Sequence, residues 1–343
     1  MTVIILKINR KVFIIMKDLY FAACDRDGGI YHYKLDGGAL TFVRRYDVDR
    51  PMWLTISGSR MYVLLRELTE NLNSGVMSFD ILPDGSLVDP SEPVLSGGRC
   101  ACHSCVHDGR LYLVNYLSGN VCAFDADNLS RGVIAEDLHD GKGLHPTRQE
   151  AAHTHFVRET PDGKYLFCVD LGVDTIFTYD KDLHVLAEAK VPDGEGCRHL
   201  EYSPDGKYVY CANELGSSVT IFSYSDGKLS RLETYPALPS DFDGQNTAAA
   251  VRISADGKYL YVSNRGHDSV CAFDVTDGGK RLGDPLWTKV GGVSPRDINL
   301  AGGYLFAANE KSRGVTIFSV DGKDLKKLDT VLSMKGALCT AVR

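Results

Sequence analysis

Apolar and polar positions alternate with a period of two through most of the chain, and no segment carries the 3.6-residue period of an amphipathic helix. The clearest stretches are HFVRETPDGKYLFCVDLGVDTIFTYD from His155, RHLEYSPDGKYVYCANELGSSVTIFSY from Arg198 and VRISADGKYLYVSNRGHDSVCAFDV from Val251. Each predicts a strand, a tight Asp-Gly turn, a second strand, a short connection and a third strand. Asp-Gly suits the turn because glycine accepts positive φ without a Cβ clash. The flanking runs are rich in Tyr, Val, Ile and Phe, which favour a pleated, half-buried surface.

The second strand of this unit recurs seven times, aligned on Tyr20, Tyr62, Tyr112, Phe167, Tyr210, Tyr261 and Phe306. The intervals are 42, 50, 55, 43, 51 and 45 residues, a spacing that suits four-stranded propeller blades with loops of variable length. The tail GALCTAVR matches a first strand with nothing after it, whereas the head DLYFAAC begins at a second strand. The two ends therefore complete one blade, which closes the ring and removes its exposed edges. The prediction is an all-β, seven-bladed β-propeller of four-stranded antiparallel blades. Its C-terminal strand joins the N-terminal blade, and residues 1–343 form one domain.

Composition narrows the class further. The 343 residues are 44% hydrophobic and 24% charged, with a net charge of -7, and no basic run supplies the face that a nucleic-acid backbone needs. No apolar stretch reaches the 18 residues of a membrane helix. The start, MTVIILKINRKVFIIMK, is broken by Lys7, Arg10 and Lys11 and lacks the plan of a signal peptide. The native start is open between Met1 and Met16; with Met16, residues 1–15 are an upstream extension. The ten cysteines lie mostly in apolar strand-like runs, which suits reduced thiols and a cytoplasmic protein. Cys100, Cys102 and Cys105 lack a second ligand pair and read as a strand entry rather than a zinc site.

In a propeller the first strands line the central channel, and the connection after each second strand returns to the same mouth. First-strand entries read Trp53, His103, His155, Arg198, Ala249 and Arg296; the fourth residue after each anchor reads Cys24, Arg66, Tyr116, Leu171, Glu214, Arg265 and Glu310. Two registers that meet at one mouth are thus dense in Arg, His and Glu. Arginine is a forked donor to phosphate or carboxylate, and His and Glu serve as acid and base near neutral pH. The set predicts a site for a small anionic molecule with a proton-transfer group. His153 and His155 do not make a metal site by themselves. DRDGG at Asp25 and DFDG at Asp241 lack the remaining ligands of calcium loops. No Walker loop, dinucleotide fingerprint or G-x-S-x-G elbow is present.

Residues 143–170, GLHPTRQEAAHTHFVRETPDGKYLFCVD, resemble the signature stretch of the seven-bladed lactonase family, in which R-Q precedes H-x-H and a P-D-G-K turn. RHLEYSPDGKYVYCANEL and SPRDINLAGGYLFAANE are similar to its later blades. The family holds 6-phosphogluconolactonases and carboxy-muconate lactonizing enzymes. The resemblance implies an anionic small-molecule substrate and chemistry without metal or cofactor. It places catalytic groups on His155, Arg198, Glu214 and Arg265. Arg148, His103, His199, Arg296 and Glu310 are the further substrate-binding candidates. Departures are Ala152 and Cys197 where the family has proline, and Glu310 where it often has glutamine. The expected activity is hydrolysis of a sugar-acid lactone such as 6-phosphoglucono-1,5-lactone in the pentose phosphate pathway. A muconate-type cycloisomerase and a non-enzymatic docking propeller remain open at this level, as does the choice between His155 and Glu214 as base.

Overall fold

The computed structural model describes residues 3–5, 16–36 and 38–343. Seven antiparallel sheets radiate around one channel. Blade 1 combines Ala337–Val342 with Lys17–Ala23, Gly29–Asp36 and Ala39–Tyr46, so the ring closes as the termini predict. Blades 2 to 7 begin with Pro51–Ser57, Ala101–His107, Thr154–Glu159, Cys197–Tyr202, Thr247–Ile253 and Pro295–Ala301. Each of these first strands touches the next, and the last touches Ala337–Val342, which in turn touches Pro51–Ser57.

The four-strand plan has three local variations. Val3–Ile5 add an outer strand to blade 1 by pairing with Ala39–Thr41, while the rest of the segment before Met16, residues 1–2 and 6–15, lies outside the described residues. The outer edge of blade 2 is split into Leu87–Val88 and Val94–Arg99, and that of blade 6 into Arg281–Leu282 and Leu286–Lys289. Two 3-10 turns are the only helical segments among the described residues, so none is long enough to cross a membrane.

The core is divided into seven clusters, one between each pair of neighbouring blades. All seven anchor residues are buried in them. Five anchor tyrosines also staple the ring. Each donates its hydroxyl to a carbonyl in the outer turn of the next blade: Tyr20 to Gly85, Tyr62 to Ala126, Tyr112 to Lys181, Tyr210 to Gly279 and Tyr261 to Gly322, at 2.6–3.0 Å. A buried hydroxyl needs such a partner, which explains why tyrosine recurs at this position. Phe306 instead packs against Phe21 of blade 1, with ring centroids 5.9 Å apart.

Candidate active site

Every first strand carries a β-bulge near its start. The bulge leaves Met52, Cys102, His155, Arg198 and Arg296 without a partner on the second strand. Leu338 takes this place in blade 1, and in blade 6 the extra residue falls at Ala249 or Ala250. A bulge re-aims a side chain and ends regular pairing, here at the channel mouth. Two residues earlier, Arg50, Cys100, Gly196, Ser294 and Gly336 all take positive φ. Their carbonyls, with that of His153, accept the backbone N–H of Arg66, Tyr116, Glu214, Glu310, Cys24 and Leu171 respectively. This repeated bond sets the residue four after the anchor beside the bulge residue in six blades, and in blade 6 Arg265 is placed by its pairing with Thr247, so the two predicted registers do meet.

The bulge corrects the entry register in blades 2 and 3. Sequence alignment pairs Trp53 and His103 with His155 and Arg198, whereas the structure puts Met52 and Cys102 at that level. The turns of these blades are shorter: Met52 precedes Tyr62 by ten residues, as Cys102 precedes Tyr112 and Arg296 precedes Phe306. Trp53 and His103 therefore stand one residue deeper, level with Phe156 and His199. His103 stacks between Trp53 and Phe156, at centroid distances of 4.2 and 4.1 Å, and meets the His199 ring at 5.4 Å. These rings plug the channel below the bulge level.

Above the plug a small cavity is lined by Met52, Cys102, His155, Arg198, Arg296 and Leu338, with Trp53 and His199 beneath. At its edge Glu214 is held by three guanidinium groups. Arg198 Nε donates to Oε2 at 2.9 Å, Arg265 Nη2 lies 2.7 Å from the same oxygen, and Arg148 Nη2 donates to Oε1 at 2.5 Å. Burial alone would raise the Glu214 pKa, but Arg265, Arg198, His155 and Arg148 together hold it well below the usual carboxylate range. Burial, reinforced by Arg198, pushes His155 well below the usual imidazole range and leaves it neutral at pH 7. Two donors remain buried without a partner, Arg198 Nη1 and Arg265 Nε. An orphaned donor of this kind is costly unless something occupies it.

The loop before blade 4 explains the R-Q pair. Gln149 is wholly buried; its Nε2 donates to Leu171 O, its Oε1 accepts from His145 N, both at 2.9 Å, and the loop is pinned there. Its neighbour Arg148 is left half-exposed against Glu214 and the Tyr116 hydroxyl, at 3.0 Å. Asp170 accepts the backbone N–H of His153 at 2.7 Å and is itself bonded to His139, which fixes the strand that delivers His155. Tyr116 lies face-on to His153 and edge-on to His155. Thus His155, Arg198, Glu214, Arg265 and Arg148 converge as expected. Arg296 and Glu310 pair at 3.5 Å on the opposite side of the mouth, and His199 forms part of the floor. Tyr116 and Arg66 stand in the second register but are not singled out by the sequence reading; Met52, Cys102 and Leu338 are found only through the bulge.

Comparison with known proteins follows the same outline. The family model described as lactonase, 7-bladed beta-propeller, matches residues 18–342.

The chain belongs to the seven-bladed β-propeller lactonase family.

Among its relatives is a Staphylococcus epidermidis protein of uncharacterised function, 34% identical over 307 residues, 85% of this chain and 89% of that one. A periplasmic gluconolactonase from Pseudomonas aeruginosa superposes with a TM-score of 0.86 at 25% identity, covering 96% of this chain and 99% of its own. A Bacteroides fragilis protein provisionally named a 6-phosphogluconolactonase gives 0.85 at 25% identity, with 95% and 98% covered. The lactonase fold and a lactonase-type hydrolase activity follow from this membership. The cysteines that line or flank the lactonase channel are free thiols, as are the other cysteines of the chain.

Proposed function

We propose that this lactonase hydrolyses a sugar-acid lactone, with 6-phosphoglucono-1,5-lactone as the leading substrate, and that His155, Arg198, Glu214 and Arg265 form its catalytic group. The observation that carries the reading is the pair of orphaned donors, Arg198 Nη1 and Arg265 Nε, buried beside a neutral imidazole. Donors already in place for developing negative charge need no reorganisation when the reaction occurs. Both oxygens of Glu214 are occupied by arginines, so its role is to hold the guanidinium groups in position.

Among the described residues no hydrogen bond reaches His155 Nε2, so this atom is free to take a proton from water. The water oxygen bonds to the lactone carbonyl carbon while the carbonyl oxygen gains the negative charge that Arg198 and Arg265 stabilise. The tetrahedral intermediate then collapses, the ring C–O bond breaks, and protonated His155 returns its proton to the leaving ring oxygen. The product acid releases its proton to solvent. The ten unpaired cysteines support a reducing, cytoplasmic setting for this chemistry.

The test is hydrolysis of freshly generated 6-phosphoglucono-1,5-lactone, read as the rate in excess of buffer. Wild type is expected to show an excess, and Arg198→Ala to lower its kcat/KM by roughly 10²- to 10³-fold. An unchanged rate in that variant overturns the assigned site. No excess in wild type removes this substrate and directs the assay to other lactones and to muconates.

A further inference from the structure

The cavity at His155 encloses about 10 Å³, room for no more than one water. The body of a sugar lactone must therefore lie outside it. Across Leu338 the cavity adjoins a wedge of about 470 Å³ between blades 1, 2 and 7, whose other lining residues include Cys24, Arg66, Glu310, Lys311 and Lys335. That volume is typical of a small-molecule site.

The charges of this wedge do not balance. Lys335 Nζ pairs with Asp25 at 3.0 Å, and Glu310 is matched by Arg296 at 3.5 Å. Among the described residues neither Arg66 nor Lys311 has a carboxylate within ion-pair distance. Two cations without an ion-pair partner thus line a concave space on a chain of net charge -7, and low-dielectric walls focus such a local field. The wedge also has an apolar side in Cys24 and Leu338, against which a carbon chain can pack. Arg198 and Arg265 are already engaged with Glu214, whose carboxylate offsets part of their charge.

We propose that the wedge is a specificity subsite in which Arg66 and Lys311 hold a dianionic phosphate at the end of the substrate remote from its ester. This inference rests on the lactonase reading above for the position of the ester. An arginine fork and a lysine point charge are both suited to phosphate.

The experiment compares wild type with the double variant Arg66→Gln/Lys311→Gln on 6-phosphoglucono-1,5-lactone and on unphosphorylated glucono-1,5-lactone. Both side chains are exposed, and thermal melts check that the variant is folded. The ratio of kcat/KM for the phosphorylated over the plain lactone is expected to fall tenfold or more, with the loss carried by KM. A ratio within twofold of wild type overturns the subsite. If wild type hydrolyses neither lactone, the lactonase reading fails, and the subsite is judged by calorimetry with 6-phosphogluconate and inorganic phosphate. Binding of either that the double variant loses upholds it; no binding, or binding that survives the substitutions, overturns it.

Discussion

Arg198 Nε donates to Glu214 Oε2 at 2.9 Å, and each side chain is only 3% exposed. The pair joins consecutive strands of blade 5, Cys197–Tyr202 and the end of Tyr208–Asn213, across the bulge that turns Arg198 into the channel. Arg265 of blade 6 and Arg148 of the loop before blade 4 bond to the same carboxylate. Glu214 therefore neutralises part of a buried cluster that spans three blades.

Removal of that carboxylate leaves three arginines facing one another with reduced hydration. Glu214→Gln is expected to lower folding stability by roughly 3–5 kcal/mol, the usual cost of breaking a buried pair from one side. The loss should shrink in high salt, because screening weakens the repulsion between the partly exposed members. Denaturant titrations at two salt concentrations check this; a loss below 1 kcal/mol contradicts the positioning role.

The channel histidines set the pH dependence. His103, His155 and His199 all have pKa values well below the usual imidazole range, chiefly because they are buried. An unfolded chain takes up protons on them near pH 6.5, whereas the folded chain does not until the pH is much lower. Their contribution to stability is therefore complete above pH 6.5 and is lost progressively as pH falls below it. Each group contributes a slope of about 1.4 kcal/mol per pH unit in that window. Thermal melts from pH 7.5 to 5 should show a falling Tm, and His199→Asn should flatten the slope. For activity, a His155 base with a lowered pKa gives no acid limb near pH 6.5; an inflection there in kcat/KM contradicts the assignment.

Blade stapling is testable away from the site. Tyr112→Phe removes the bond to Lys181 O, which keeps Arg110 Nη1 as its other donor at 2.7 Å. The expected cost is about 0.5–1.5 kcal/mol, read as a shift of the denaturation midpoint, with activity on any turned-over lactone retained. Tyr112→Ala also empties the interface and is expected to cost about 3–5 kcal/mol.

The convergence of the candidate site residues was legible in the sequence where the repeat is regular. His155, Arg198, Glu214 and Arg265 come from blades 4, 5 and 6, where the P-D-G-K and A-D-G-K turns have equal length and a residue count carries over from blade to blade. In blades 2 and 3 the turns Ser57–Arg60 and His107–Arg110 are shorter, and a one-residue error moved Trp53 and His103 into places that Met52 and Cys102 occupy. A slip of one residue changes which side chain faces the channel, because strand side chains alternate.

The number of blades, their strand pattern and the closure of the ring were determined by the sequence alone. Period-two alternation, Asp-Gly turns and an orphan strand at each end are local signals, and local signals survive without coordinates. Only the tertiary structure decided what each channel residue does. The bulge, an extra residue with no distinct sequence mark, re-aims one side chain per blade. The packing of three arginines around Glu214 then makes it a clamp, and the same burial keeps His155 neutral. Both outcomes depend on distances between residues tens of positions apart, and charge states follow from those distances rather than from residue type.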